Sequence, residues 1–171
     1  QYTHHYSAGN GTRMGLFGMF YGLYGNYWFN FLDERIGPVM MDLLGDDNYQ
    51  FSMYTSAAFT YPEFDKTIFS RIAPCDLHPF SGDQGWKSDR KNITDLVDFI
   101  DKRDRSRPFM TFMFYESPHA RYYFPPETVI RSDYLKDFSY ATVDIKKNIE
   151  LIKNRYINSC NHLDSQIARV I

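Results

Sequence analysis

The stretch His4-His5-Tyr6-Ser7-Ala8-Gly9-Asn10-Gly11-Thr12-Arg13-Met14-Gly15-Leu16-Phe17-Gly18-Met19-Phe20-Tyr21-Gly22 decides how the chain is read. A polar, glycine-bearing run passes directly into an apolar one. Met14, Phe17 and Tyr21, with Leu16 and Phe20, recur at helical spacings, which predicts a helix over 12–22 with Thr12 at its start. A hydroxyl at a helix N-terminus lies among N–H groups that have no acceptor inside the helix, at the positive end of the dipole. Such a place suits an anionic ester, or an alkoxide attacking one. It suits equally a threonine that only caps the helix.

At 171 residues the chain is one domain or a piece of one. Its 18% aromatic content, mostly Phe and Tyr, is enough to build a core, and a net charge of −2 argues against general nucleic-acid binding. No apolar run is long enough to span a membrane, no signal peptide is visible, and the first residue is Gln1. Both ends read as cut, the last inside a helix-like pattern. Cys75 and Cys160 either pair in an oxidising compartment or stay free; neither has a second cysteine nearby, so a structural zinc site is not expected.

After the first helix, 26–30 reads as an aromatic turn, and Pro38 suits the first turn of a helix reaching about Leu44, ended by Gly45-Asp46-Asp47-Asn48. Tyr49 to Thr55 reads as a strand. A short helix is expected after Pro62, with Glu63 and Asp65 on a solvated face. Residues 73–87 read as a loop. Ser88 or Asp89 then caps a helix over roughly 92–104 that presents Ile93, Leu96, Val97 and Ile100 on one side. The run Phe109-Met110-Thr111-Phe112-Met113-Phe114-Tyr115 has the length and continuity of a strand covered on both faces. One or two helices fill 134–171. Helix, loop, strand is the rhythm of an α/β fold, and ligands of open α/β sheets sit beyond the carboxyl ends of strands. The loop Glu116-Ser117-Pro118-His119-Ala120-Arg121 is therefore the second place to look for chemistry.

His119 suits hydrogen bonding to a phosphoryl or sulfuryl oxygen, or protonation of a leaving group, and reads equally as a loop histidine without a role. Arg13 and Arg121 are candidate anion clamps. His4-His5 is a weak metal-binding pair, and Asp46-Asp47 reads as a helix stop. No phosphate-binding loop, dinucleotide fingerprint, His-Glu-x-x-His motif or Gly-x-Ser-x-Gly elbow is present.

Residues 5–22 resemble the nucleophile region of the sulfatase-like inner-membrane proteins of Gram-negative bacteria (YejM-type), within the alkaline phosphatase/sulfatase superfamily, and more distantly that of lipoteichoic acid synthases. Phe51 to Pro62 is similar to that family's second strand and following loop. Phe114 to Tyr122 resembles the strand and loop that supply a substrate-binding histidine, and Tyr140 to Ile171 resembles the long helix after it. The likeness covers nearly the whole chain, in order.

The resemblance implies part of an α/β/α sandwich, an incomplete central sheet flanked by helices, with residues 1–171 the central portion of one hydrolase domain. It implies a metal-dependent hydrolase or transferase acting on phosphate or sulfate esters of lipid-derived envelope substrates, in the periplasmic domain of a membrane-anchored protein. Thr12 matches the catalytic nucleophile, which also touches the metal, although Gly11 fits that slot one residue earlier. His119, Arg13, Asn10 and Arg121 are the implied substrate-binding residues; Arg121 stands where the family often has proline. The formylglycine-forming signature of true sulfatases is absent. A divalent metal (Mg, Mn, Ca or Zn) is implied for the full-length protein, with its remaining ligands before Gln1 and after Ile171. The alternative is a catalytically silent module that binds lipid head groups or a protein partner and regulates envelope assembly. A sheet lacking its outer strands is expected to self-associate or rearrange.

Overall fold

A computed structural model describes residues 3, 4, 6–79, 85–119 and 121–171. The chain divides into two compact units. The first comprises Gln1–Ser52, Ala58–Leu77 and Asp104–Thr111, the second Met53–Ala57, His78–Arg103 and Phe112–Ile171.

The first unit is organised by α1 (Thr12–Tyr21), whose Phe17 and Phe20 are buried. Phe17 stacks on Tyr21 and meets Trp28 and Phe31 edge-on, while Phe20 meets Phe69 edge-on. Trp28 in turn packs against Phe64. Aromatic edges on faces build this core, which is why the high Phe and Tyr content needs few aliphatic partners. Gly22, at φ 67°, ends α1 in the left-handed conformation that glycine adopts without steric cost, and its N–H returns to the Gly18 carbonyl. Gly18 itself allows a close approach: a Cβ there would collide with the Cβ of Ala8.

Two expectations in this unit are corrected. Only Gly25–Tyr27 is a turn, and Trp28 opens a helix, α2 (Trp28–Glu34), because the buried indole draws the segment onto the core. After Pro62 there is a single 3-10 turn, Phe64–Lys66, in place of a helix. There the backbone winds about the buried Phe64, Ile68 and Phe69, and the Phe69 N–H reaches the Phe64 carbonyl five residues back at 2.8 Å, outside the helical register. Helix α3 (Val39–Asp46) follows Pro38 as expected.

Among the described residues, strand β1 (Gln50–Thr55) is central in a three-stranded sheet of order β2-β1-β3, with β2 Leu77–His78 and β3 Phe109–Phe114. Gln50 N–H bonds to the Pro108 carbonyl at 2.9 Å and Ser56 N–H to that of Phe114 at 3.0 Å, so β1 and β3 run parallel. The α/β class expected from the sequence holds. Strand β3 was expected to be covered on both faces; it is half-buried along its length, because it lies at the sheet edge.

In the second unit, Tyr54 of β1 packs with Ile93 and Leu96 of α4 (Gly85–Lys102), backed by Val97, Ile100, Met113 and Tyr115. The expected apolar face is therefore correct. The start is not: α4 begins at Gly85, and Ser88 and Asp89 are buried inside it instead of capping it. Part of the 73–87 loop is structured, as the 3-10 turn Pro74–Asp76 and β2. The last segment forms one helix, α5 (Ile145–Ile167), capped by Asp144, whose side chain accepts from the Lys147 N–H at 3.1 Å. Cys75 and Cys160 are free thiols. No helix among the described residues is long and apolar enough to cross a membrane.

Asp89 has no solvent exposure. Its carboxylate accepts from Ser56 Oγ at 2.6 Å, from the N–H groups of Glu116 and Ser117 at 2.9 and 2.8 Å, and from Ser117 Oγ. One side chain of α4 thus fixes the residue after β1 and the loop after β3. Asp89→Ala is expected to cost about 3–5 kcal/mol in urea unfolding, since it leaves buried hydroxyls and N–H groups without a partner. Gly18→Val is expected to cost about 1–3 kcal/mol by overpacking against Ala8. Gly45→Ala, in α3 where a Cβ would meet nothing within 4 Å, is expected instead to stabilise by about 0.5–1 kcal/mol.

Candidate active site

Thr12 is the first helical residue of α1, and Gly11 is its N-cap, in an extended conformation and without a side-chain cap bond. The capping-threonine alternative is therefore excluded. The first intrahelical bond runs from Gly15 N–H to the Gly11 carbonyl at 2.9 Å, so the N–H groups of Thr12, Arg13 and Met14 lack an acceptor within the helix. Thr12 is exposed. It lines an open cleft of about 330 Å³ with Gly11, Arg13, Met14, Tyr61 and Pro62. A Cβ on Gly11 would meet nothing within 4 Å, so the backbone there borders open space. Hydroxyl, bare backbone and helix dipole converge on one cleft within the first unit.

Arg13 is half-buried and already engaged. Its Nε and Nη2 donate to the two carboxylate oxygens of Glu63 at 3.0 and 2.9 Å, and its guanidinium lies 4.9 Å from the centre of the Tyr61 ring. The fork-to-fork pair cancels much of the charge in the cleft and leaves the Nη1 hydrogens for another acceptor. Glu63, expected on a solvated helix face, is instead this partner, with 22% of its side chain exposed. Asn10 is exposed and is not among the residues lining the cleft. His4 is exposed, and the proposed His4-His5 pair lies partly outside the described residues.

His119 belongs to the second unit. Its N–H bonds to the Glu116 carbonyl at 2.8 Å, closing a turn that Asp89 anchors through the Glu116 and Ser117 N–H groups. The imidazole is 65% exposed, with Nδ1 at 3.5 Å from Glu116 Oε1. Burial pushes the Glu116 carboxyl above the usual carboxylate range, Asp89 adds to this, and His119 opposes it. Arg121 follows at φ 86° with Tyr122 at φ 48°, a left-handed pair that turns the chain sharply after the histidine. Arg121 is exposed, and its Nη1 donates to the Tyr123 hydroxyl at 3.3 Å.

Thr12 and Arg13 are thus brought together in the first unit, and His119 and Arg121 share one loop of the second. Spacing missed Glu63, which meets Arg13 from 50 residues away, and misread Asp89 as a cap. Neither left a local signal, because each acts through contacts distant in sequence. Among the described residues, no group of three His, Cys, Asp or Glu side chains is placed to hold a metal ion.

The Sulfatase family model matches residues 1–171. A Haemophilus influenzae protein described only as uncharacterized is 28% identical over 114 residues, 66% of this chain and 18% of its own length. The inner membrane protein YejM of Salmonella typhi is 24% identical over 170 residues, 99% of this chain and 24% of its own. YejM of Salmonella typhimurium is 32% identical over 69 residues, 40% of this chain and 12% of its own. The chain spans a quarter or less of the length of these relatives. With a match from the first residue to the last, this chain belongs to the sulfatase family.

Proposed function

We propose that this chain supplies the nucleophile-bearing part of a hydrolase or transferase acting on phosphate or sulfate esters, with lipid-derived envelope molecules as substrates and the periplasm as its compartment. The single observation that carries the reading is Thr12 at the first position of α1, exposed in a cleft with N–H groups around it. An ester seated there presents its non-bridging oxygens to those N–H groups and to the dipole. Thr12 Oγ then forms a bond to phosphorus or sulfur as the bond to the leaving oxygen breaks. The hydroxyl gives up its proton, and the departing alkoxide takes one up. Water in a second displacement frees Thr12, or an acceptor alcohol completes a transfer.

Arg13 contributes through Nη1, because Glu63 already occupies its other edge. Asn10, His119 and Arg121 are proposed as further contacts to the anionic oxygens, on the resemblance of their segments. A divalent cation takes about six oxygen ligands. The Thr12 cleft offers a hydroxyl, and both oxygens of neighbouring Glu63 are bound to Arg13. The described residues therefore do not fit a metal by themselves. The proposed metal has Thr12 as one ligand and takes the rest from beyond residues 1–171.

In the intact protein, Thr12→Ala is expected to lower turnover of a generic phosphodiester by about 10³-fold or more, a loss of roughly 4 kcal/mol of transition-state stabilisation. Undiminished turnover removes Thr12 from the mechanism, whereas no turnover by the wild-type protein leaves the silent binding module. Dialysis against a chelator is expected to abolish turnover and added divalent cation to restore it; activity indifferent to both removes the metal from the proposal. His119→Ala, assayed separately, is expected to raise KM and to lower kcat by about 10- to 100-fold; wild-type kinetics assign His119 no role.

A further inference from the structure

The second unit carries a cleft of about 500 Å³ that the Thr12 chemistry does not use. Arg121, Lys136 and Arg155 line it, together with the aromatic rings of Trp86 and Tyr134 and the carboxylate of Asp137. Among the described residues, none of the three cations has a carboxylate within ion-pair distance.

Arg155 sets the geometry. It projects from α5 and is half-buried. Its Nε donates to the Arg121 carbonyl at 2.7 Å, and its Nη1 to the carbonyls of Leu135 and Lys136 at 2.9 and 3.0 Å. Its guanidinium also lies 5.5 Å from the centre of the Phe124 ring. These partners are neutral. They lock the side chain without cancelling its charge and leave the Nη2 hydrogens for another acceptor. The same bonds fix the backbone at Arg121 and Lys136, the residues that bring the other two cations. Burial lowers the Arg155 pKa while Tyr134, Tyr123 and Asp137 raise it, and an arginine remains charged throughout. A guanidinium held rigid by carbonyls, with two further cations beside it, is preorganised for an oxyanion.

We infer that this cleft binds the phosphate group of a monoester or diester, held by Arg121, Lys136 and the free edge of Arg155, with the organic part of the ligand against Trp86 and Tyr134. The inference shares only Arg121 with the proposed function and does not require Thr12 to react.

The test measures equilibrium binding by the intact protein, through the fluorescence of Trp86, with glycerol phosphate as the soluble probe. Flotation with vesicles of phosphatidylcholine, alone or with phosphatidic acid, provides the lipid arm. Ionic strength is held constant with chloride. The variant Lys136→Gln changes one exposed side chain that the proposed reaction does not use, and its folding is checked by its thermal transition. Saturable binding of glycerol phosphate that weakens at least tenfold in this variant identifies a soluble phosphoester as the ligand. Binding confined to phosphatidic acid vesicles, with the same weakening, identifies a lipid head group. Trp86→Phe is expected to abolish the fluorescence change; because the readout is binding beside Trp86 and not turnover, failure here is distinct from failure of the proposed reaction. Absence of saturable binding in both arms, or equal affinity in Lys136→Gln, overturns the inference.

Discussion

A carboxylate without solvent exposure, Asp89 in α4, holds together the helix, the residue after β1 and the loop after β3 in the second unit. A buried charge costs several kcal/mol unless its lone pairs are filled. Here two N–H groups and two hydroxyls fill them. The N–H donors are consecutive, Glu116 and Ser117, so the chain leaving β3 must turn around the carboxylate. The turn that closes at His119 follows directly from that constraint. A helix packed by apolar contacts alone would position α4 against Tyr54 equally well, but would leave the loop after β3 free to choose its path. The polar hub supplies the direction that hydrophobic burial, which is non-directional, cannot.

The first unit solves the same problem differently. Its loop before α1 is placed by close contact, Ala8 against the bare backbone of Gly18, and its helix is placed by rings packed edge to face. Glycine in a helix interior weakens the helix by about 0.5–1 kcal/mol relative to alanine. At Gly18 this cost is offset by a contact that no larger residue allows. The result puts the polar segment and the helix start side by side, so that the exposed hydroxyl of Thr12 stands on a buried aromatic base. Gly9 and Gly18 thus serve packing around the helix start, and of the motif's glycines Gly22 has the positive φ.

This division explains what the sequence could reveal. Periodic patterns made α1, α3, β1, β3 and the apolar face of α4 legible, because each is set by burial along a single element. The helix at Trp28 was read as a turn because its reason for existing is a cluster formed with Phe17 and Phe64. The start of α4 was placed too late because Ser88 and Asp89 carry the residue types of a cap while lying on a buried face. At the candidate site, Thr12 was visible from its place at the boundary between a glycine run and an apolar run. Glu63 was not, since nothing near it in sequence distinguishes a solvated carboxylate from one bound by an arginine. Nor were Lys136 and Arg155, which lie 19 residues apart and meet only where the fold gathers them around one cleft.

The arginines of the two units show why charge counting along a chain says little about anion binding. Arg13 faces a carboxylate in a bidentate pair, so an incoming anion gains from it only the field left after Glu63. Arg155 makes three hydrogen bonds to Arg13's two, all to carbonyls, so none of its direct partners neutralises it while its orientation is already fixed. The first arrangement favours structure, since the carboxylate already answers the guanidinium. The second favours binding, because the ordering cost that a free arginine meets on capturing a ligand is already offset within the fold. Two residues of one type, each with its fork occupied, therefore differ in the charge they leave unanswered, according to whether the occupant carries a charge.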